Sequence, residues 1–310
     1  MKVLVTGGAG FIGSNLVEKL LNDKHKVVVI DDFSLGKKGN LDFAKGNKNL
    51  IIHQKSICDK DIKKYLKGIE VVFHVAALPR VQYSIKFPLE THKVNVNGTL
   101  NLLLASKKMN VKKFIFSSSS SIYGDQDKLP LAETMKPNPI SPYALHKLIG
   151  EYYCKLFYDL YGLKTISLRY FNVFGPRQDP LGDYALLIPR FIDLINKNIR
   201  PTINGDGEQT RDFTYVQDVV EANISATSIK NKNVFGDTFN IGTGKNFSVN
   251  EVTSHIKNLL NKNVEPIYGP SVIEPKNTLA DITKAKKLLG WQPKYKFEDG
   301  LKETIKYLTK

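Results

Sequence analysis

Tyr143 and Lys147 are the residues of this chain whose types and spacing best suit acid–base chemistry. They stand four positions apart, so a helix would place both side chains on one face. An ammonium beside a phenol stabilises the phenolate, so we expect the Tyr143 pKa to fall from about 10 toward the working pH. Ser141 and Pro142 are typical of a helix start, an N-cap followed by proline. The alternative, a half-buried tyrosine beside a solvated lysine, stays open on this pair alone.

A glycine-rich turn follows the first apolar run, at residues 3–5. Gly7, Gly10 and Gly13 repeat every three residues, and the residues after Gly10 open a helix-like segment. Glycines at such a turn let the backbone approach a pyrophosphate, and the helix N-terminus adds free N–H groups. The strand, turn and helix together predict a dinucleotide-binding site.

Asp31 and Asp32 end the second apolar run, residues 26–30. A Rossmann fold places the carboxylate that grips the adenosine ribose about 20 residues beyond the glycine loop. A carboxylate there repels a 2′-phosphate and no arginine follows it, so we expect NAD rather than NADP. Ser34 and Gly36 lie in a loop that can close over that ribose.

Further strands and helices alternate along the first half of the chain. This pattern predicts an α/β fold with a Rossmann-type doubly wound parallel sheet. The further strands are expected at residues 50–54, 71–77, 113–116 and 165–172, with a long helix over 88–108.

The alternation weakens beyond residue 175, which predicts a second, smaller domain. We expect residues 1–172 to form the NAD-binding domain, with 212–240 crossing back to it. Residues 173–211 and 241–310 would form the C-terminal substrate-binding domain.

Small and polar residues follow two of the predicted strands. Ala76 and Ala77 end the fourth strand, where small side chains let a dinucleotide pass close to the backbone. His74 lies between apolar residues, so we expect a packed core histidine rather than a catalyst. Five serines, residues 117–121, follow the fifth strand. Open α/β sheets bind ligands at this edge, so the serines are expected to hydrogen-bond a substrate rather than to form a linker.

The composition excludes several classes of protein. The chain has 310 residues, 42% hydrophobic and 24% charged, which suits one large or two modest globular domains. Its net charge of +15 comes mostly from dispersed lysines, which favours a solvated surface over nucleic-acid binding. No stretch approaches the ~20 apolar residues of a membrane span, and no signal peptide is evident. With only Cys58 and Cys154, we expect a cytoplasmic protein without structural disulfides or a metal site.

Taken together, these motifs resemble the extended short-chain dehydrogenase/reductase superfamily and, within it, the UDP-glucose/UDP-N-acetylglucosamine 4-epimerases. The resemblance covers nearly the whole chain and implies a bound NAD, a Ser-Tyr-Lys unit and a C-terminal nucleotide-sugar domain. Its motifs are the glycine loop of residues 6–13, Asp31, residues 74–77, the serine run, Tyr143-x-x-x-Lys147 and residues 168–176.

The resemblance also implies roles for individual residues. Ser119 matches the catalytic serine, Tyr143 the base, and Lys147 the lysine that lowers its pKa and binds the nicotinamide ribose. The implied cofactor contacts are Gly7, Gly10, Phe11, Ile12, Gly13, Asp31, Asp32, Ser34, Gly36, Ile57, Ala76, Ala77, Tyr143, Lys147 and Tyr170. The implied substrate contacts are Ser119, Ser121, Tyr143, Asn172, Leu187, Arg211 and Thr278.

Arg211 and Asn172 are expected to hold the diphosphate of a UDP-sugar. A scarce arginine beside a glycine-rich turn suits bidentate phosphate binding, although a surface salt bridge to Asp212 or Glu208 is the alternative. Thr278 matches the gate beside the sugar 2-substituent, where a small residue leaves room for an acetamido group. The expected substrate is therefore UDP-N-acetylglucosamine, with UDP-glucose also accepted.

Within the family that the chain resembles, the absence of acidic residues after the catalytic serine distinguishes an epimerase from its relatives. Dehydratases carry an Asp-Glu pair after the catalytic serine or threonine and decarboxylases a glutamate, whereas this chain has Ser120-Ser121. A 4-keto sugar could then only turn over and be reduced again, so a 4-epimerase is expected. A reductase or dehydratase acting on another nucleotide sugar is the alternative, and a non-catalytic NAD-binding protein is a third.

The chain departs from the family pattern at two positions. Ser271 stands where the family has a second phosphate-binding arginine, which puts the nucleotide in doubt, and Ser56 replaces an aspartate beside the adenine. The family forms dimers through a four-helix bundle. By analogy, the helices around 99–108 and 143–161 would build a homodimer.

Overall fold

The computed structural model describes residues 1–181, 185–271 and 275–310. Its strands are β1 (Lys2–Thr6), β2 (Lys26–Asp31), β3 (Leu50–Gln54), β4 (Val71–His74), β5 (Lys113–Ser119), β6 (Lys164–Tyr170), β7 (Val173–Phe174), β8 (Thr202–Asn204), β9 (Thr210–Arg211), β10 (Thr214–Tyr215), β11 (Asp237–Ile241), β12 (Phe247–Ser248) and β13 (Ile267–Gly269). Its α-helices are α1 (Phe11–Asn22), α2 (Val81–Lys86), α3 (Pro88–His92), α4 (Thr99–Lys108), α5 (Pro142–Tyr161), α6 (Leu187–Asn196), α7 (Val216–Ser228), α8 (Val249–Leu260) and α9 (Phe297–Leu308).

A seven-stranded parallel sheet organises the molecule, in the order β3-β2-β1-β4-β5-β6-β11. Its inner strand β1 is apolar on both faces, which is typical of a sheet covered on both sides by helices. Within β1, Val3 and Val5 join one hydrophobic cluster and Leu4 joins the cluster on the opposite face. The predicted α/β fold with a doubly wound parallel sheet is therefore confirmed.

Helix α5 begins where the sequence predicts. Ser141 is its N-cap, and its side chain accepts a hydrogen bond from the Ala144 N–H at 3.2 Å. Pro142 follows in the first turn, and Gly162 ends the helix in the left-handed conformation with φ of 70°. The helix packs against β5 and β6, so its first two turns lie beside the carboxyl end of β5.

Two predicted elements differ from the structure. The fourth strand was expected over 71–77 but ends at His74, and residues 75–80 leave the sheet. Asn95 holds this departing segment, because its side chain bonds both the N–H and the carbonyl of Leu78, at 2.8 and 3.0 Å. The helix expected over 88–108 is divided by a π-helical segment, Lys93–Gly98, which contains Asn95.

The C-terminal part has its own hydrophobic cluster, built mainly from α6, α8 and α9. Residues 237–241 lie elsewhere, as strand β11 at the edge of the main sheet beside β6. The domain boundaries given above remain a prediction. Among the described helices, none has the length and apolar character needed to cross a membrane.

Candidate active site

The structure brings Ser119, Tyr143 and Lys147 together at the carboxyl edge of the sheet. Ser119 is the last residue of β5, and Tyr143 and Lys147 occupy the first two turns of α5. The Ser119 side chain lies close enough to the Tyr143 phenol to favour its ionised form. The Lys147 Nζ donates to the Ser117 carbonyl at 2.7 Å and lies 5.9 Å from the centre of the Tyr143 ring.

The Tyr143 pKa differs from the sequence expectation. Burial raises it to about 12, because removal from water penalises the phenolate. The Ser119 side chain and the nearby charge of Arg80 favour the phenolate but do not offset the burial. The expectation that Lys147 lowers the Tyr143 pKa toward the working pH is therefore wrong for this arrangement.

Lys147 is also buried, with 5% of its surface exposed. Burial lowers its pKa to about 8, while the Glu151 carboxylate and Cys154 oppose that shift. The alternative of a solvated lysine is therefore wrong. The two side chains of the Tyr-x-x-x-Lys pattern lie inside the protein, where electrostatic interactions are stronger than in water.

The glycine turn approaches the fourth strand closely. Gly7 has φ of +67°, and a Cβ on Gly7 would lie 2.8 Å from the Ala76 nitrogen. A Cβ on Gly13 would lie 2.0 Å from the Gly7 carbonyl oxygen. Gly10 is the N-cap of α1, and none of the side chains that the structure describes caps this helix, so its N-terminal N–H groups suit an anionic ligand.

Asp31 is buried at the end of β2 and orders the turns around it. Its carboxylate accepts hydrogen bonds from the N–H groups of Ala9 at 2.9 Å and Phe33 at 2.8 Å. A Cβ on Gly36 would lie 2.7 Å from this carboxylate, so a glycine is needed where the loop passes. Burial raises the Asp31 pKa, against these two hydrogen bonds.

Other residues expected to contact the cofactor lie nearby. Asp32 is exposed and accepts hydrogen bonds from the N–H and hydroxyl of Ser34, at 2.9 and 2.6 Å. Phe11 and Ile12 form the half-buried first turn of α1, and Ala77 is half-buried after β4. Ile57 is buried against Gly98, where a Cβ would lie 2.7 Å from the Ile57 side chain.

Tyr170 and His74 use their polar atoms inside the protein. The Tyr170 hydroxyl is bonded to Ser117 at 3.0 Å and accepts from Asn223 at 2.8 Å, so this side chain supports the sheet edge. His74 is bonded to Thr6 at 2.8 Å and to Thr99 at 2.9 Å, and burial lowers its pKa to about 3. The prediction of a core histidine is confirmed.

Asn172 and Thr278, two of the expected substrate contacts, lie next to each other. Asn172 donates to the Thr278 hydroxyl at 3.4 Å and to the Asp212 carbonyl at 3.3 Å. Leu187, a third, is half-buried as the first residue of α6. Arg211 donates from Nη1 to the Thr210 and Lys276 carbonyls at 2.9 and 3.0 Å.

Asp212 is a residue that sequence reasoning misjudged. It was considered as a surface partner of Arg211, but it is fully buried. Its carboxylate accepts from the Thr243 N–H and hydroxyl, the Gly244 N–H and the Ala280 N–H, at 2.7 to 3.1 Å. No local pattern signals this role, because its partners lie more than 30 residues away. Asp212 therefore joins three chain segments behind the expected substrate contacts.

Glu151 and Arg169 also escaped the sequence reasoning. They form a buried ion pair between α5 and β6, with 2.7 Å between Nη2 and Oε2. The spacing of Glu151, four residues after Lys147, was the available signal. Two segments beside expected site residues, 182–184 before Leu187 and 272–274 after Ser271, lie outside the described residues.

Comparisons with known proteins extend over the whole chain. The family model described as GDP-mannose 4,6 dehydratase matches residues 4–304. A putative UDP-glucose 4-epimerase of Methanocaldococcus jannaschii is 42% identical over 308 residues, covering 99% of this chain and 98% of the relative. Other relatives include nucleotide-sugar decarboxylases and a dTDP-D-glucose 4,6-dehydratase.

Two solved structures are also close in fold and sequence. A UDP-N-acetylglucosamine 4-epimerase of Methanobrevibacter ruminantium, in complex with UDP-N-acetylmuramic acid, has a TM-score of 0.95 and 41% identity, covering 99% of this chain and 98% of that one. A UDP-glucuronic acid 4-epimerase of Bacillus cereus, in complex with UDP-glucuronic acid and NAD, has a TM-score of 0.93 and 38% identity, covering 100% and 99%. The chain therefore belongs to the GDP-mannose 4,6-dehydratase family of extended short-chain dehydrogenase/reductases, together with these UDP-sugar 4-epimerases, as its motifs predict.

Proposed function

We propose that the chain catalyses NAD-dependent 4-epimerisation of a UDP-sugar through a transient 4-keto intermediate. The observation that carries the proposal is the meeting of Ser119, Tyr143 and Lys147 beside the glycine turn. Ser120 and Ser121 follow Ser119, so no carboxylate stands there to act on C5 or C6. Its 4-epimerase relatives, alike over nearly their full length, support the same reaction.

In this mechanism Tyr143 moves the proton of the sugar's C4 hydroxyl. Once Tyr143 is ionised, a state that Ser119 and the charge of Arg80 favour, its phenolate takes the proton through Ser119 and returns the proton later. Lys147, whose Nζ lies 5.9 Å from the centre of the Tyr143 ring, would bind the nicotinamide ribose. When bound, NAD would supply the chemistry of removing and returning a hydride at C4.

The residues around the glycine turn fit a dinucleotide. The uncapped N-terminus of α1 suits its pyrophosphate, and the close approach of Gly7 to Ala76 leaves the surface free of side chains there. Asp31 and the exposed Asp32 would hold the ribose hydroxyls and repel a 2′-phosphate. NAD is bound in a structural neighbour with 38% identity, which supports the same cofactor here.

UDP-N-acetylglucosamine is the substrate that we propose first, with UDP-glucose second. Thr278 is small and lies beside Asn172, which leaves room for an acetamido group. The Ser121 hydroxyl oxygen is buried and has no hydrogen-bond partner within the described ranges. A buried hydroxyl needs such a partner, and a sugar hydroxyl would supply one. The 4-epimerase of M. ruminantium, named for this substrate, supports the order.

We also propose that the protein is a homodimer, formed through α4 and α5. Large apolar side chains on the outer faces of these helices are about half exposed in the single chain. They are Leu104, Leu145, Tyr152, Leu156 and Leu160. A second copy of the chain would cover this surface, because the same patch on two copies is self-complementary under two-fold symmetry. Single exposed apolar side chains are common on protein surfaces, but a continuous apolar stripe along two adjacent helices marks an interaction site.

The proposed reaction is tested by incubating the purified protein, without added cofactor, separately with UDP-N-acetylglucosamine and UDP-glucose. We expect the 4-epimer of each sugar by NMR, with faster conversion of the acetamido sugar. Conversion without added cofactor would show that NAD copurifies. If added NAD also gives no epimer, the products are examined for reduction, dehydration or decarboxylation, and any of these would replace the proposal.

A further inference from the structure

Three consecutive serines at the end of β5 contact three successive turns of one face of α5. The contacts on α5 stand at every fourth residue, so they lie on one face of the helix. They join Ser119 to Tyr143, the Ser117 carbonyl to the Lys147 Nζ at 2.7 Å, and the Ser118 hydroxyl to the Glu151 Oε1 at 2.5 Å. The third contact has no part in the mechanism proposed above.

Glu151 is held rigidly in place. Its carboxylate accepts two parallel hydrogen bonds from Arg169, from Nε to Oε1 at 2.9 Å and from Nη2 to Oε2 at 2.7 Å. The two side chains are only 3% and 5% exposed. Arg169 also donates from Nη1 to the Tyr123 hydroxyl at 2.8 Å. Such a bidentate, desolvated pair fixes geometry strongly, and a change in one member leaves a buried charge unpaired.

Glu151 is also the negative charge nearest in sequence to Lys147 on the same helix face. The titratable groups that face Lys147 are Tyr143, His146, Glu151 and Cys154 on α5, and His74 at the end of β4. Burial lowers the pKa of His74 to about 3 and that of His146 to about 4, so both are neutral near pH 7. Burial raises the Cys154 pKa, which keeps the thiol protonated. Within the described residues, Glu151 is thus the anion that acts on Lys147.

We propose that Glu151 is a positioning residue, which aligns α5 with β5 through Ser118 and serves as the counterion that keeps Lys147 protonated. This inference rests on the proposed epimerase function. It assigns a purpose to the buried ion pair, because Arg169 holds Glu151 one helical turn beyond Lys147. The active unit then extends from Tyr-x-x-x-Lys to Tyr-x-x-x-Lys-x-x-x-Glu.

The test begins with Glu151→Gln, whose amide oxygen can still accept from Ser118 but carries no charge. We expect the alkaline limb of the kcat/KM profile, which reports loss of the Lys147 proton, to move toward acid by about one pH unit or more. Asp159→Asn is the matched control, because Asp159 forms an exposed pair with Lys155 at 2.7 Å on the same helix. It should leave the limb in place.

A second variant distinguishes the loss of the Glu151 charge from the effect of leaving Arg169 unpaired. Glu151→Gln combined with Arg169→Gln removes both buried charges and keeps both side-chain shapes. Arg169 is not among the groups that act on Lys147. We therefore expect the limb to remain displaced in the double variant. Return of the limb to its wild-type position would overturn the counterion role, and it would attribute the single-variant effect to Arg169.

A substrate-free measurement completes the test, by following thermal stability against pH. The folded Lys147 pKa of about 8 lies below its ordinary value of 10.5, so the unfolded chain binds more protons between these values. The contribution of Lys147 to the free energy of unfolding therefore rises with pH between these two values. This rise should begin at lower pH in the double variant than in the wild type. If the difference in stability between the wild type and the double variant does not change with pH, the inference is contradicted, even when the protein is inactive. If the wild type has no epimerase activity but the stability curve of the double variant is still displaced toward lower pH, only the proposed function is contradicted.

Discussion

At the scale of single residues, burial decides the chemistry of the Tyr143–Lys147 pair. It raises the pKa of Tyr143 to about 12 and lowers that of Lys147 to about 8, since desolvation favours the neutral form of each group. The charge of Arg80 and the Ser119 side chain favour the phenolate. Arg80 is therefore a contributor to the site that the spacing of the motif does not reveal.

Tyr143→Phe tests the proposed base. It removes the hydroxyl and keeps the ring that fills the buried site, so we expect a loss in kcat of about 10³-fold, with NAD still bound. Turnover would be followed by NMR and NAD content by absorbance of the denatured protein. Tyr307→Phe, on the exposed side of α9, is the matched control and should keep its activity. Full activity in Tyr143→Phe would show that another group is the base.

At the scale of elements, the β1–α1 turn is limited by contacts between backbone atoms. A Cβ on Gly13 would meet the Gly7 carbonyl oxygen and a Cβ on Gly7 would meet the backbone at Ala76, so neither position has space for a side chain. Helix α1 can therefore begin directly beside the sheet edge. Its N-terminal N–H groups then face the place where open α/β sheets bind their ligands.

Gly13→Ala should displace the turn from helix α1. The new methyl would lie 2.0 Å from a carbonyl oxygen, which only backbone movement can relieve. We expect NAD affinity to fall at least about tenfold, or about 1.4 kcal/mol, with a lower melting temperature. Affinity would be measured by titration of the cofactor-free protein. Gly39→Ala is the control, since nothing lies within 4 Å of its Cβ position. Equal affinity in both variants would show that the turn does not hold the cofactor.

At the scale of the whole molecule, the outer face of α5 is an apolar surface that a single chain leaves exposed. Its inner face contacts the serines at the end of β5, while Tyr152, Leu156 and Leu160 are 56%, 48% and 67% exposed. The helix thus connects the proposed subunit interface to the site. A second copy packed on this face would restrict the same helix that carries Tyr143 and Lys147.

Leu156→Asp tests the proposed dimer. A charge at the centre of the apolar stripe would have to be desolvated in the interface, so we expect a monomer at micromolar concentration. Sedimentation equilibrium would give the mass. Ile199→Asp, an equally exposed position outside α4 and α5, should keep the wild-type mass. A monomeric wild type, or a dimer that Leu156→Asp leaves intact, would exclude this interface.

Elements built from local signals were predictable. The third strand was expected and found at residues 50–54, and the Ser141–Pro142 start of α5 is where the sequence indicates. Contacts between distant segments were not predictable. Examples are Asn95 holding Leu78, which ends the fourth strand early, and Asp212, which binds backbone groups 31 to 68 residues away.

The sequence by itself determined the family, the α/β fold with a parallel sheet, and which side chains could form the proposed site. These follow from residue spacing, because periodicity and turn chemistry act within a few residues. Only the tertiary structure decided how deeply Tyr143 and Lys147 are buried, and therefore the direction of both pKa shifts. It also decided that Arg169 pairs with Glu151 inside the protein. Burial depends on what the whole chain packs around a group, and no local pattern contains that information.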